Sequence, residues 1–197
     1  MLVTHPRLAD LWPRFLITQH EIIRATVPLT KVAAARAETM AAVDPVASCL
    51  VRYLEEHVKE ELGHDDLLLD DLELLGVNRA TVLGRMPSPA VASLVGCQYY
   101  WIYHHHPIGF LGFIALMEGH PPTQELVEMV ISATGYPRAA FQTFVEHGEL
   151  DPGHRDRLDR TIDSLPLTPE HETIMGISAM YSATLLPHTI EEILEQG

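Results

Sequence analysis

Two stretches far apart in the chain place a histidine, an acid and a second histidine at the same spacing. They read HVKEELGH at 57–64 and HGELDPGH at 147–154. Residues three or four positions apart share one face of an α-helix, so each stretch would project its three groups from one side. If both serve one site, two helices must face each other across the core. The pattern therefore favours a helical bundle.

The rest of the chain carries helical periodicity interrupted by proline and glycine, with few alternating β-branched runs. Asp44-Pro45 and Thr168-Pro169 are typical helix starts, and Gly76 and Gly135 suit helix ends. We predict an all-α, single-domain bundle over residues 1–197. Its helices are expected at about 6–26, 28–42, 45–75, 87–105, 107–119, 122–134, 137–148, 152–164 and 168–195.

The charge balance excludes two classes of partner. The chain has 27 acidic and 13 basic side chains, a formal charge of -14. Nucleic acid and anionic membranes both need a basic face, so neither is expected as a partner. The apolar stretch at 90–116 is interrupted by Gln98, three histidines and Pro107, which favours two buried helices over a membrane span.

The two cysteines and the first residues bear on the cellular compartment. Cys49 and Cys97 show neither metal-type spacing nor a disulfide framework. The first residues lack a basic segment followed by an apolar one, so no secretion signal is expected. We therefore predict a cytoplasmic protein.

Both histidine stretches supply side chains that bind metals. A mixture of imidazole and carboxylate suits iron or manganese, whereas structural zinc favours cysteine. Glu60 offers a further carboxylate near His64, and Asp151 has the alternative role of capping a helix that starts at Pro152. The predicted metal ligands in the two stretches are His57, Glu61, His64, His147, Asp151 and His154.

A third carboxylate completes the predicted site. Helix bundles build dinuclear centres from Glu and Glu-x-x-His residues on facing helices, and Glu61 to His64 is one Glu-x-x-His. Glu118 closes the apolar segment FIALMEG, where a buried acid needs a partner. Together Glu61, Glu118 and Asp151 would offset most of the four positive charges of two ferrous ions. We predict these three carboxylates to be catalytic as well as metal-binding.

The spaced set of residues resembles the haem-oxygenase-like di-iron oxidases. The resemblance rests on EELGHDDLLLDDLELLG around His64, the isolated Glu118 and HGELDPGH, and covers roughly 45–165. It implies that Glu61 and His64 are the first metal-binding pair, Glu118 the middle carboxylate, and His147, Asp151 and His154 the last triad. Some members have glutamate where this chain has His57, which leaves His57 either a ligand or a donor behind the ligands.

The resemblance implies a haem-oxygenase-like bundle that binds two Fe(II) ions, or manganese, and reacts with O2 to oxidise a small substrate. A free amino acid is the expected substrate, oxidised by desaturation, cyclisation or oxygenation in a natural-product pathway. An external electron donor and a homodimer are compatible with this interpretation. The resemblance also implies a segment that orders on metal loading, for which GELDPG is the expected place. The pocket lining is expected among Tyr99, Tyr100, Tyr103, Phe110 and Phe113, and the substrate's charged partners among Arg24, Lys31, Arg52 and Arg138.

Five alternatives remain at the level of sequence. One is a fatty-acid-type oxidative decarboxylase of the same fold, and another a metal-free thiaminase-like hydrolase that uses Cys49 or Cys97. A haem-degrading enzyme would use His20 as its haem ligand. The last two are a non-enzymatic iron-binding protein and a helical interaction domain whose histidines are incidental.

Overall fold

The computed structural model describes residues 2–195, with no β-strand among them, and the predicted all-α class is confirmed. Short 3-10 turns span Leu2–Thr4 and Arg138–Phe141. The α-helices are α1 Leu8–Ile23, α2 Thr26–Met40, α3 Pro45–Glu61, α4 His64–Leu74, α5 Arg79–Leu83, α6 Pro89–His104, α7 Gly109–Glu118, α8 Gln124–Thr134, α9 Gln142–Ser164 and α10 Pro169–Glu195.

Three predicted helix ends are confirmed by capping contacts or backbone geometry. Asp44 Oδ1 accepts hydrogen bonds from the backbone N–H groups of Val46, at 2.8 Å, and Ala47, at 3.0 Å. This satisfies two of the N–H groups that the first turn of α3 leaves free. Gly135 ends α8 in the left-handed region with φ 69°, and Gly76 follows α4 with φ 79°. Glycine adopts this conformation without the steric cost that a Cβ brings.

The single helix predicted over 45–75 is wrong, because the chain breaks between α3 and α4. Leu62 has an extended backbone, and Gly63 has φ 96°, a backbone angle that residues with a Cβ rarely adopt. Glu61 therefore ends α3 and His64 begins α4. The first histidine stretch spans a corner, so its three groups do not share the face of one continuous helix.

The second histidine stretch deviates in the opposite sense. Helices were expected at 137–148 and 152–164, yet α9 runs without a break from Gln142 to Ser164. Asp151 lies inside this helix, so its alternative role as a helix cap is wrong. Gly148 is needed for packing, since a Cβ there would lie 2.7 Å from the carbonyl oxygen of Pro122. Tertiary packing overrides the helix-breaking tendency of glycine and proline in this segment.

Helix α7 is the central element that carries the site carboxylate Glu118. It packs closely on α10, because a Cβ on Gly112 would overlap the backbone of Met175 and Ala179. Phe110 is fully buried and Phe113 nearly so, which anchors the helix in the core. Within residues 2–195, no helix combines the length and apolar character needed to cross a membrane. The apolar stretch at 90–116 thus forms α6 and α7, two helices of the bundle, as expected.

Candidate metal centre

Four helices bring the predicted ligands together. His57 and Glu61 lie in the last turns of α3, and His64 is the first residue of α4. Glu118 ends α7. The other three residues, His147, Asp151 and His154, lie in α9. The C-terminal ends of α3 and α7 lie at this region. Each carries a partial negative charge, which favours a cation there.

The first half of the site consists of His57, Glu61 and Glu118. All three side chains are buried, and one ligand atom from each lies within 4.8 Å of the other two. His57 Nε2 is 3.5 Å from Glu118 Oε1. His57, whose role the sequence left open, therefore lies among the potential ligands.

The second half shares Glu61 with the first. Glu61 Oε2 is 3.5 Å from His64 Nδ1, and its other oxygen is 4.0 Å from His154 Nδ1. His154 Nδ1 also lies 3.9 Å from Asp151 Oδ1. Glu61 therefore lies among the potential ligands of both halves.

His147 is the most solvent-accessible member of the set. Its Nδ1–H donates to the carbonyl oxygen of Thr143 at 2.7 Å, which leaves Nε2 with the free lone pair. Its ring lies 4.8 Å from that of His64, centroid to centroid, in an edge-on arrangement. A histidine oriented through one nitrogen presents the other to a metal in a fixed direction.

The residues fit a metal because their polar atoms are buried and lack partners. Both ring nitrogens of His57, Nδ1 of His64 and His154, and one oxygen of Glu118 make no hydrogen bond. Leaving such atoms unsatisfied costs about 1–3 kcal/mol each. Ligands about 2.1 Å from one ion stand roughly 3–3.5 Å apart, close to the separations seen here. An ion would therefore satisfy atoms that the protein leaves unpaired.

Electrostatics point in the same direction. Burial, and then Glu61 and Asp151, raise the pKa of Glu118 to about 8. Burial likewise raises the pKa of Asp151 to about 6. Burial lowers the pKa of His57 and His154, which favours the neutral imidazole that binds metals. Nearby carboxylates that repel one another and neutral imidazoles together favour a divalent cation.

Glu60, a further potential ligand by sequence, is engaged elsewhere. Both of its oxygens form an ion pair with Arg157 of α9. The Arg157 guanidinium also lies over the ring of Tyr53, 6.0 Å from its centroid, and Tyr53 stacks on His57 at 5.8 Å. These contacts support the ligands from behind, because they link α3 to α9 next to His57.

A cavity of about 350 Å3 opens onto the site. Its walls include His57, Glu61, Glu118, His147 and Asp151. Its apolar walls come from Ile22, Ile23, Phe113, Ile114, Met117, Leu126 and Phe144. The volume lies at the lower end of the range for small-molecule pockets, and the mixture of apolar walls and a few polar groups is typical of them.

The cavity lining was only partly predicted. Phe113 lines it as expected, whereas Tyr100 and Tyr103 are exposed on the outer surface of α6. Within the described part of the chain, no lysine or arginine lines the cavity. The expectation that Arg24, Lys31, Arg52 or Arg138 contacts the substrate there is therefore not supported.

A second group, of Asp44, His106 and His171, was not identified from the sequence. His106 Nε2 lies 3.1 Å from Asp44 Oδ2, and the rings of His106 and His171 are 4.6 Å apart. The backbone N–H of Ile108 donates to His106 Nδ1 at 3.0 Å, so Nε2 carries the proton and donates to Asp44. This group is satisfied by hydrogen bonds, in contrast to the metal centre.

The residues that carried the alternative functions lie away from the cavity. Cys49 is exposed, and burial raises the pKa of Cys97 to about 11, which disfavours the reactive thiolate. Neither cysteine lines the cavity, and His20, fully buried in α1, does not line it either. The residues proposed from the sequence as cysteine nucleophile or haem ligand are thus not placed at this pocket.

Solved structures with the same fold were found at low sequence identity. One is a domain of unknown function with a heme oxygenase-like fold from Shewanella denitrificans, with a TM-score of 0.81 and 16% identity, covering 95% of this chain and 79% of that one. Another is a TenA homolog from Pseudomonas syringae pv. tomato, with a TM-score of 0.67 and 13% identity, covering 93% of this chain and 80% of that one. The predicted haem-oxygenase-like fold is confirmed.

Sequence comparison identifies the family. Among curated proteins, none matches the chain significantly. The family model Haem_oxygenas_2, described as an iron-containing redox enzyme, matches residues 29–184, which include every predicted ligand. The chain therefore belongs to this family of iron-containing redox enzymes.

Proposed function

We propose that the protein is a non-haem di-iron oxidase that uses O2 to oxidise a small substrate with a largely apolar body. The observation that carries the proposal is the set of buried, unpartnered imidazole and carboxylate atoms at the wall of an apolar cavity. Membership of an iron-containing redox family supports iron as the metal, and the imidazole and carboxylate donors also suit manganese.

The protein groups have separable tasks in this proposal. Glu61 would hold both ions, with His57 and Glu118 on one side and His64, His147, Asp151 and His154 on the other. Two ferrous ions would supply the electrons that start O2 reduction. O2 needs four electrons to become two waters, so a desaturation that takes two from the substrate needs two more from the ferrous pair or an external donor.

The cavity walls determine what the substrate meets. Phe113, Ile114 and Phe144 give the space next to the ligands apolar walls, which would limit water there so that the oxidant meets substrate rather than solvent. The neutral polar residues that line the space and can orient a substrate by hydrogen bonding are Gln19, Thr26, Thr123 and Thr143. The chemistry would therefore depend on shape and on a dry environment more than on charged recognition.

The apolar walls favour an apolar substrate over a polar free amino acid. A substrate carboxylate would find no lysine or arginine among the described lining residues, and His120 is the one histidine there outside the predicted ligands, so we expect the carboxylate to bind at the metal. An amino acid fits this requirement if its side chain is apolar, and a short fatty acid fits it as well. We therefore keep both classes, and place the fatty-acid-type alternative ahead of polar amino acids.

The test is anaerobic loading with Fe(II), followed by exposure to O2 with and without substrate. Iron per chain is measured after desalting, and O2 consumption is measured against leucine, phenylalanine, glutamate, lysine and C8 to C12 fatty acids. We expect about two irons per chain and faster O2 consumption with apolar substrates. No bound iron would contradict the proposal, and consumption triggered by glutamate or lysine alone would contradict the apolar substrate class.

A further inference from the structure

Helices α6 and α10 form a surface that the proposed metal chemistry does not use. Between Arg85 and Glu118, and again between Glu172 and Glu191, the sequence contains no Asp, Glu, Lys or Arg. Elsewhere the chain is rich in charge, with a net value of -14. Each uncharged stretch supplies the outward face of one helix. Because α6 and α10 pack against each other, these two faces lie side by side on the surface.

The two helices are joined into one rigid unit beneath this surface. Gln98 of α6 donates to Ser182 Oγ of α10 at 2.9 Å and accepts from Ser178 Oγ at 3.2 Å. Trp101 of α6 and Ile174 of α10 come together above Gly109, where a Cβ would lie 3.4 Å from Trp101 Cβ and 2.7 Å from Ile174 Cγ2. The outward side chains of both helices therefore belong to one continuous surface.

That surface exposes large apolar and aromatic side chains. Met180 is 73% exposed and Tyr100 53%, and Ile177 and Tyr181 are also exposed. We call the set Tyr100, Trp101, Ile177, Met180 and Tyr181 the neutral face. Aromatic residues and methionine are enriched in the cores of protein interfaces, whereas Lys, Glu and Asp are depleted there. The composition of the neutral face matches that of an interface core.

We propose that the neutral face is the contact surface of a homodimer. Two copies of an acidic chain repel each other unless they meet where neither carries charge, and the neutral face is such a place. A two-fold contact places the same patch on both copies, so an uncharged apolar patch is complementary to itself. A basic protein partner would need acidic residues on this surface and a nucleic acid would need basic ones, and these two stretches have neither.

The available area is sufficient for a specific contact. Helix α6 has 16 residues and is therefore about 24 Å long. With α10 packed beside it at about 10 Å, the outward strip covers roughly 500 Å2 per copy. A pair would bury roughly 1,000 Å2, about the minimum for a biological interface and in the range of weak, reversible contacts. Because α10 also packs on α7, the dimer would support the helix that ends at Glu118 while leaving the cavity open on another side.

The test is sedimentation velocity on the full chain between about 1 and 100 μM. Wild type is expected at twice the 22.0 kDa chain mass at the upper concentrations. Met180→Glu buries a charge twice in a two-fold contact, so it should raise the dissociation constant of the dimer about 100-fold or more. Met129→Glu on α8 is the matched control, since Met129 is also an exposed helical methionine. This control should remain dimeric.

A second variant on the other helix guards against a local effect. Tyr100→Glu on α6 should weaken the dimer in the same way as Met180→Glu, with unchanged helical circular dichroism in both. A wild type that stays monomeric at 100 μM would overturn the proposal, and so would a dimer that both variants leave intact. A monomer that binds phosphatidylcholine vesicles through Met180 would overturn it in favour of a membrane contact.

Discussion

Two groups of histidines and carboxylates lie near opposite ends of α3, roughly 25 Å apart along the helix. At the start of α3, Asp44 caps the helix and accepts a hydrogen bond from His106. At its end, His57 is buried with both ring nitrogens unpartnered. The residue types are similar, but the first group satisfies its polar atoms internally and the second leaves them for something else. Available lone pairs, rather than the presence of His and Asp or Glu, distinguish a metal centre from a structural hydrogen-bond network.

Removing the shared ligand of the metal centre should have the largest effect. In Glu61→Ala both halves of the site lose a carboxylate, so Fe(II) affinity should fall more than about 100-fold, with less than one iron retained per chain. Iron per chain after anaerobic loading and desalting is the measurement. Glu55→Ala is the matched control, an exposed acid on the same helix, and should bind as wild type does. Equal loading of the two variants would contradict the assigned site.

An alanine substitution at Asp44, in the group with His106 and His171, should affect stability instead of metal binding. Asp44→Ala removes the cap of α3 and the partner of His106, and should cost about 2 kcal/mol in the free energy of unfolding. Urea denaturation measures the cost, and iron loading of the folded variant should be unchanged. If Asp44→Ala lost iron while Glu61→Ala kept it, the roles of the two groups would be reversed.

The metal-free protein should lose stability between pH 7 and pH 9. The folded-state pKa of Glu118, about 8, lies above the ordinary value of 4.5, so its stabilising contribution is fully present below pH 4.5 and is lost as pH rises through 8. Between pH 7 and 9 the loss is about 1.4 kcal/mol. Urea denaturation with a chelator present measures it in wild type.

Glu118→Gln separates this loss from that of every other titrating group. The variant cannot ionise at this position, so its stability should fall by about 1.4 kcal/mol less than that of wild type across the same interval. Parallel curves for the two proteins would show that Glu118 does not titrate in a buried environment.

The pKa of Asp44, in the other group, is shifted in the opposite direction. Burial opposes ionisation of this carboxyl, yet the N–H groups of Ala47 and Val46 together with His106 hold its pKa below the ordinary value.

Replacing His171, at the edge of the group that includes Asp44 and His106, should have the smallest effect on stability and on iron binding. His171→Ala should change the free energy of unfolding by less than about 0.5 kcal/mol, because His171 is only partly buried and its ring contact with His106 is replaceable by water. Thermal unfolding and iron loading measure the two properties. A loss of iron in His171→Ala would show that the second group takes part in metal binding.

Sequence spacing correctly predicted which residues lie close together, but it did not predict the helix geometry that brings them there. The candidate ligands were selected from local patterns, and the structure brings them together. The corner at Gly63 and the continuity of α9 through Gly148 were not predicted, because both depend on packing between distant segments. Asp44 and His106 are 62 residues apart, and Glu60 and Arg157 are 97 apart. No periodicity within a helix signals such pairs.

The cavity lining was predicted poorly for a related reason. Helix α6 has no charged side chain on any face, so hydropathy does not indicate which side faces water. Tyr100 and Tyr103 were expected inside and lie outside, whereas Phe113 of α7 lines the cavity. The feature that hid the orientation of α6 also makes its outer surface suitable for a protein contact.

The most direct test of the metal centre is an anaerobic titration with 57Fe(II), followed by Mössbauer spectroscopy of wild type and Glu61→Ala. The account predicts about two ferrous ions per chain in wild type, with binding at both positions lost or strongly weakened in the variant, because Glu61 faces ligands of both halves. A single iron per chain in wild type, or a variant that binds as much iron as wild type, would contradict a dinuclear centre built around Glu61.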